Sequence, residues 1–242
     1  MIVVLAIDAL EYDLVEKFQC SHLMQKFYGK TDISEFSEPR TMVLWSSFMT
    51  GKNMETEILA MGDKNMWNTR IEAGQTFFSG FNNPAIIDLP GYNYDLHQHE
   101  AERTLLRNFF DAKGNQEKET IRESYNRLVF DHHKKIKKEF SAALAGNHDL
   151  VLGYFSIADV IGHLNFGNVF MMKMIYRDLD EMAGTIVPPM IVLSDHGMKP
   201  VGIFGDHSEY GFWSSGSADL GVPKITDFPK IVTDLSREQC PR

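Results

Sequence analysis

Six residues of metal-ligating type are scattered over this 242-residue chain, several of them directly after hydrophobic runs. The run Ile2-Val3-Val4-Leu5-Ala6-Ile7 ends on Asp8. Val151-Leu152-Gly153-Tyr154-Phe155 leads into Asp159 and then Gly162-His163. Met190-Ile191-Val192-Leu193-Ser194 ends on Asp195-His196, and a later segment carries Gly205-Asp206-His207. In an open α/β sheet, ligands gather just beyond the carboxyl ends of the strands. Asp and His delivered from separate strand ends therefore predict one shared site. Three carboxylates and three imidazoles suit two divalent cations such as zinc or manganese. Singly, each residue has a plainer reading: Asp8 as a helix cap, Asp195-His196-Gly197 as a turn, Asp159 and His163 as an ion pair on one helical face. The set together favours chemistry.

The elements that must position these residues alternate in type. Strand-like runs cover 2–7, 84–89, 149–156 and 189–194. Helical spacing covers 12–27, 42–50, 166–183 and 226–235, with a charged helix pair between 97 and 144 broken near Gly114-Asn115. Residues 204–215 read as a loop with an edge strand, and 52–80 show no clear period. The pattern predicts an α/β fold, a mainly parallel sheet with helices on both faces, in one domain over residues 1–242.

Composition bounds the function. The hydrophobic fraction is 43% and the net charge is -9. That charge disfavours a nucleic-acid partner and suits an acidic cation site. No run approaches the ~18 apolar residues of a membrane span, so no membrane partner is expected. The N-terminus enters a strand with no basic segment ahead of it, which argues against a signal peptide. Cys20 and Cys240 are the only cysteines, which predicts a reduced, cytoplasmic chain without a disulfide framework.

Five segments in order carry a resemblance: Ala6-Ile7-Asp8-Ala9-Leu10; Pro39-Arg40-Thr41 with Trp45 and Thr50-Gly51; Asp159-Val160-Ile161-Gly162-His163; Ser194-Asp195-His196-Gly197-Met198; and Gly205-Asp206-His207. The chain resembles the alkaline phosphatase superfamily, and most of all its type I phosphodiesterase and nucleotide pyrophosphatase branch, in a compact archaeal-type form. The resemblance implies an alkaline-phosphatase-like core without a large cap domain. It implies two divalent metal ions, zinc or manganese. One would be held by Asp8, Asp195 and His196 with Thr41 beside it, the other by Asp159, His163 and His207. Thr41, nine residues before Thr50, matches the nucleophile and would form a covalent phosphothreonine intermediate. The implied substrate is a small phosphate ester, with diester or pyrophosphate hydrolysis slightly favoured. Phosphomonoester or phosphonate hydrolysis, and a non-catalytic metal-binding protein that kept the fold, are the alternatives.

The sequence departs from that pattern after Thr41. No Asn follows in Met42-Val43-Leu44-Trp45, so the phosphate contact is unassigned. Arg40 is the nearest cation and the candidate substrate contact, with a surface ion pair as its plainer reading. Thr41 itself could serve only as an N-cap. Asp206 reads as either a support for His207 or a turn residue. Asp131-His132-His133 lies in a Lys-rich helical stretch and reads as a solvated face. His97 and His99 read as loop residues.

Overall fold

The computed structural model describes residues 1–238; Cys240 lies outside them. In chain order the elements are β1 (Ile2–Ile7), α1 (Tyr12–Lys17), α2 (Ser21–Met24), β2 (Phe27–Asp32), α3 (Thr41–Thr50), α4 (Glu55–Leu59), β3 (Pro84–Ile87), α5 (Leu96–Asp111), α6 (Asn115–Leu144), β4 (Leu150–Phe155), α7 (Ile157–Asn165), α8 (Val169–Gly184), β5 (Met190–Leu193), β6 (Met198–Val201), β7 (Phe204–His207), β8 (Tyr210–Ser215) and α9 (Phe228–Glu238). Short 3-10 turns fill much of the stretch between α4 and β3.

Six strands form one sheet in the order β2-β8-β5-β1-β4-β3. β5, β1, β4 and β3 run parallel, β8 is antiparallel to β5, and β2 is antiparallel to β8. β1 lies at the centre and is buried on both faces, which is why it reads as an unbroken apolar run. Its side chains alternate between two cores. Val3, Leu5 and Ile7 join residues of α6, α7 and α8, while Ile2, Val4 and Ala6 join those of α3 and α9. Helices therefore cover both faces, as the alternating pattern predicts. β6 and β7 form a separate two-stranded hairpin.

Register sets the site. Ile7 of β1 pairs with Phe155 of β4, and Ala6 pairs with Leu193 of β5. The chain thus leaves three adjacent strands at one edge. The Asp8 N–H donates to the Phe155 carbonyl at 3.0 Å, extending the ladder one residue past β1.

The helix expected over 12–27 is instead α1 and α2. Gln19 and Gln25 take φ of 55° and 49°, outside the right-handed helical region, and Phe27 opens β2. The helix expected from Phe166 starts at Val169, where the Asn168 side chain accepts from the Met171 N–H at 3.1 Å. Residues 204–215 are β7 and β8, and β8 is an interior strand between β2 and β5. His97 and His99 lie on α5, not in a loop. The stop after Thr50 is as expected: Gly51 is left-handed, with φ of 67°. Among the described residues no helix is long and apolar enough to cross a membrane.

Candidate metal centre and cavity

At the carboxyl edge of the sheet a cavity of about 340 Å³ is lined by Asp8, Thr41, Asp159, His163 and His207, with Arg40 among its further walls. Asp195 and His196 are fully buried beside it. His196 Nε2 stands 3.3 Å from Asp8 Oδ1 and 3.4 Å from Asp195 Oδ2. Asp159 Oδ1 stands 3.3 Å from His163 Nε2 and 3.4 Å from His207 Nε2. All six ligand-type residues of the sequence reading therefore converge. Asp159 is central: its carboxylate groups with His163 and His207, and also with Asp8 and His196.

The local folding explains how. Asp159 and His163 sit one turn apart on α7, so both face the cavity. Met198 of β6 packs into the space left by Gly162 and Gly205, where a Cβ would collide with it, and this seats the hairpin against α7. His207 closes β7 and stacks on His196, with ring centroids 3.8 Å apart.

The donor set fits divalent cations. Asp8 Oδ1, Asp159 Oδ1, both Asp195 oxygens and His196 Nε2 are buried without a hydrogen-bond partner. Such groups are costly unless something satisfies them. The imidazole tautomers point the same way. His196 Nδ1 lies 3.0 Å from the Gly197 carbonyl and His163 Nδ1 lies 3.3 Å from the Gly205 carbonyl. A carbonyl only accepts, so each Nδ1 carries a proton, which leaves Nε2 as the nitrogen that faces the carboxylates and could bind a cation. The near approaches of His196 Nε2 to two carboxylates are thus acceptor against acceptor, which a cation between them would resolve.

Electrostatics without a cation describe the same tension. Burial, then the nearby Asp159, raises the Asp8 carboxyl to about 7 even though Tyr154 donates to it. Burial, then Asp8 and Asp159, pushes Asp195 well above the carboxylate range. Burial, then His207, lowers His196 to about 3, so that ring is neutral. Burial works against charge on Asp159 and His163 too, but their mutual attraction wins. It holds Asp159 well below its usual value and lifts His163 to about 9.

Thr41 is buried and is the first residue of α3; the N-cap position belongs to Arg40. First-turn N–H groups have no intrahelical acceptor, and the first helical bond here is from Leu44 N–H to the Arg40 carbonyl at 2.9 Å. Arg40 lines the cavity, but its guanidinium pairs with Glu38 at 2.6 Å and with Asp63. Asp206 is exposed, and its Oδ1 accepts the His207 N–H at 2.8 Å.

The far wall of the cavity was not foreseen. Trp67 stacks on His99 at 3.7 Å between ring centroids. Burial, then the nearby Arg103, lowers His99 to about 4. Glu102 is a buried carboxyl raised to about 7, chiefly by burial, and it accepts from Gln98 Nε2 at 2.7 Å. His99, Glu102, Arg103 and Leu106 recur at helical spacing on α5, which was the one sequence signal for this face.

Asp131-His132-His133 is not a solvated face. Asp131 is exposed, but both histidines are buried. His132 Nε2 lies 3.1 Å from Asp88 Oδ2, and His133 Nε2 bonds Asp178 Oδ2 at 2.8 Å. Neither lines the cavity that holds Thr41.

No protein-family model matches the chain, and no curated protein sequence matches it. Solved structures do. A histidine-to-glutamate mutant of TAB5 alkaline phosphatase, with magnesium bound in its M3 site, superposes with a TM-score of 0.50 at 13% identity, over 97% of this chain and 97% of that one. The chain thus has an alkaline-phosphatase-like α/β fold. Murine ectonucleotide pyrophosphatase/phosphodiesterase 5 gives 0.44 at 14% identity, and its inactive threonine-to-alanine form in complex with AMP gives 0.45 at 15%. Both alignments cover 83% of this chain, which spans 58% of the length of those enzymes.

Proposed function

We propose that the chain is a metal-dependent phosphoric ester hydrolase that uses two divalent ions, zinc or manganese, and Thr41 as nucleophile. One observation carries the reading: buried carboxylate oxygens and an imidazole nitrogen converge beside the cavity without hydrogen-bond partners. A fold alone does not define an activity; a donor set of this kind has a direct physical use. Asp8, Asp195 and His196 would hold one ion, and Asp159, His163 and His207 the other. Bound there, two dications would lower the pKa of an adjacent hydroxyl and offset charge on the phosphoryl group.

The chain's own residues then divide the work. Thr41 Oγ1 gives up its proton and attacks phosphorus as the bond to the leaving oxygen breaks, and that oxygen departs with the electron pair and takes up a proton. Water next attacks the phosphothreonine, breaking the Thr41 Oγ1–P bond and restoring the hydroxyl. The first-turn N–H groups of α3 face the phosphoryl oxygens. Arg40 is neutralised by Glu38 and Asp63, whereas Arg103 lines the cavity with no ion pair among the described residues. Arg103 is therefore the better candidate to meet a substrate anion. Preference for diesters or pyrophosphates over monoesters rests on the sequence resemblance.

A metal-supplemented panel tests the reading with p-nitrophenyl phosphate, bis-p-nitrophenyl phosphate, a nucleotide and a phosphonate ester. Hydrolysis of a phosphate ester, abolished by chelator and restored by zinc or manganese, is expected. Turnover of the phosphonate alone would reassign the substrate. Metal binding with no turnover of any would leave a non-catalytic metal-binding protein.

A further inference from the structure

Glu11 belongs to neither ligand group, yet it is buried and both its oxygens are in use. Oε1 accepts from the Tyr210 hydroxyl at 2.7 Å and from the Asp13 N–H at 3.2 Å. Oε2 accepts from the Met198 N–H at 2.8 Å and from the Ser208 hydroxyl at 3.2 Å. These donors flank the candidate ligands. Met198 lies two residues after His196, and Ser208 directly follows His207. Glu11 itself lies three residues after Asp8. One carboxylate thus joins three of the segments that deliver ligands.

The connection matters because the β6–β7 hairpin is not part of the six-stranded sheet. Its tip, with Val201 and Ile203, is exposed. Strand pairing fixes Asp8 and Asp195, but no ladder to that sheet fixes His207. The fit around the carboxylate is close: a methyl group on Gly197 would collide with the Glu11 carboxylate and the Ser208 hydroxyl. The Ser208 N–H also donates to the Gly197 carbonyl at 3.0 Å.

We propose that Glu11 is a positioning residue that registers the β6–β7 hairpin, and with it His207, against the sheet-borne ligands, so that the Asp159–His163–His207 group holds its dication tightly with this carboxylate in place. The inference rests on the metal-centre reading above. An ionised carboxylate accepts at every position, which suits four donors. A glutamine keeps the shape but turns one end into a donor facing donors. Groups hydrogen-bonded to metal ligands change affinity by about 10–100-fold when altered; Glu11 acts one step further out, through Met198 and Ser208, so a loss at the lower end is expected.

Calorimetric titration of chelator-stripped protein with Mn²⁺ tests it, with thermal unfolding measured alongside. Wild type should bind two ions. Glu11→Gln should keep one affinity within about threefold and weaken the other by about tenfold or more, with excess metal restoring the second site. Combined Ser208→Ala and Tyr210→Phe leaves Glu11 in place and removes two of its donors. It should weaken the same site, and it carries the test alone if Glu11→Gln does not fold. Two wild-type affinities in the variants would overturn the proposal. Equal loss at both sites, in step with a lower Tm, would make Glu11 a fold-stabilising residue only. A wild type that binds no dication would overturn the metal centre itself, and this proposal with it.

Discussion

Asp8 Oδ1 and His196 Nε2 stand 3.3 Å apart, and neither atom has a hydrogen-bond partner. The Nδ1–H of His196 donates to the Gly197 carbonyl, so its Nε2 lone pair faces the Asp8 oxygen and repels it whenever Asp8 is ionised. Asp195 adds a second partnerless carboxylate. The arrangement is unfavourable for the metal-free fold and favourable for a cation. Asp195→Asn should therefore raise the Tm of chelator-treated protein by about 2–4 °C, the shift expected for roughly 1 kcal/mol in a chain of this size. The same change should remove most of the Tm gain that zinc or manganese gives the wild type. Unfolding scans of both proteins with and without metal read both effects; an unchanged metal response would remove Asp195 from the ligand set.

Metal stabilisation should grow with pH. The folded-state value of His163 is raised to about 9 by Asp159, against the opposing effect of burial. Its contribution to metal-free stability is full below the unfolded value of about 6.5 and is lost as pH rises through about 9. Asp8, raised to about 7 chiefly by burial, favours its protonated form, so stability also falls as pH rises from its ordinary value toward 7. Cations need both groups deprotonated. The Tm difference between metal-loaded and metal-free protein should therefore widen from pH 6 to pH 9. A difference that stays flat or narrows over that range would contradict these assignments.

His132→Ala should lower stability while leaving metal stoichiometry at the wild-type value. The substitution removes a buried imidazole that stands 3.1 Å from Asp88 Oδ2, while Asp88 Oδ1 keeps the Asp95 N–H at 3.0 Å; losing a buried side chain typically costs roughly 1–3 kcal/mol. His133→Ala should cost less, because Asp178 keeps Lys137 at 2.6 Å. Chemical denaturation ranks the two. Loss of a bound ion in either variant would draw this pair into the metal centre.

Arg103→Ala should weaken competitive inhibition by inorganic phosphate by about tenfold, the loss of one charged hydrogen-bonding contact. Arg40→Ala should change it less than about threefold, because that guanidinium is already engaged by Glu38 and Asp63. Inhibition constants for the metal-loaded variants decide between them; the reverse ranking would return the anion contact to Arg40.

The parts of this site that sequence revealed are those tied to strand ends. Asp8 and Asp195-His196 follow apolar runs that only a buried strand explains, so both residue type and position were legible. Asp159 and His163 were legible from their four-residue spacing, and α7, over a stretch the sequence left unassigned, supplies the helix that puts them on one face. His132 and His133 misled because four lysines follow them. Yet they continue an apolar stripe with Tyr125, Val129, Ile136 and Phe140 along α6, and that period outweighs the local charge. Glu11 was hidden for a different reason. It resembles any acid at a helix start and does accept from the Asp13 N–H, while its other donors are far along the chain. Trp67 lies in a segment of short 3-10 turns with no period to read.

In the proposed mechanism Thr41 Oγ1 bonds covalently to phosphorus. Acid quench of metal-loaded protein during turnover, followed by peptide mass spectrometry, tests it most directly. Wild type should carry a phosphoryl group, or its monoester, on the peptide containing Thr41. Thr41→Ser should carry it on the new hydroxyl with substantial turnover, and Thr41→Ala should lose both the adduct and nearly all activity while still binding metal. Wild-type-like hydrolysis by Thr41→Ala, with no adduct on the wild-type peptide, would contradict the account and assign the attack to water.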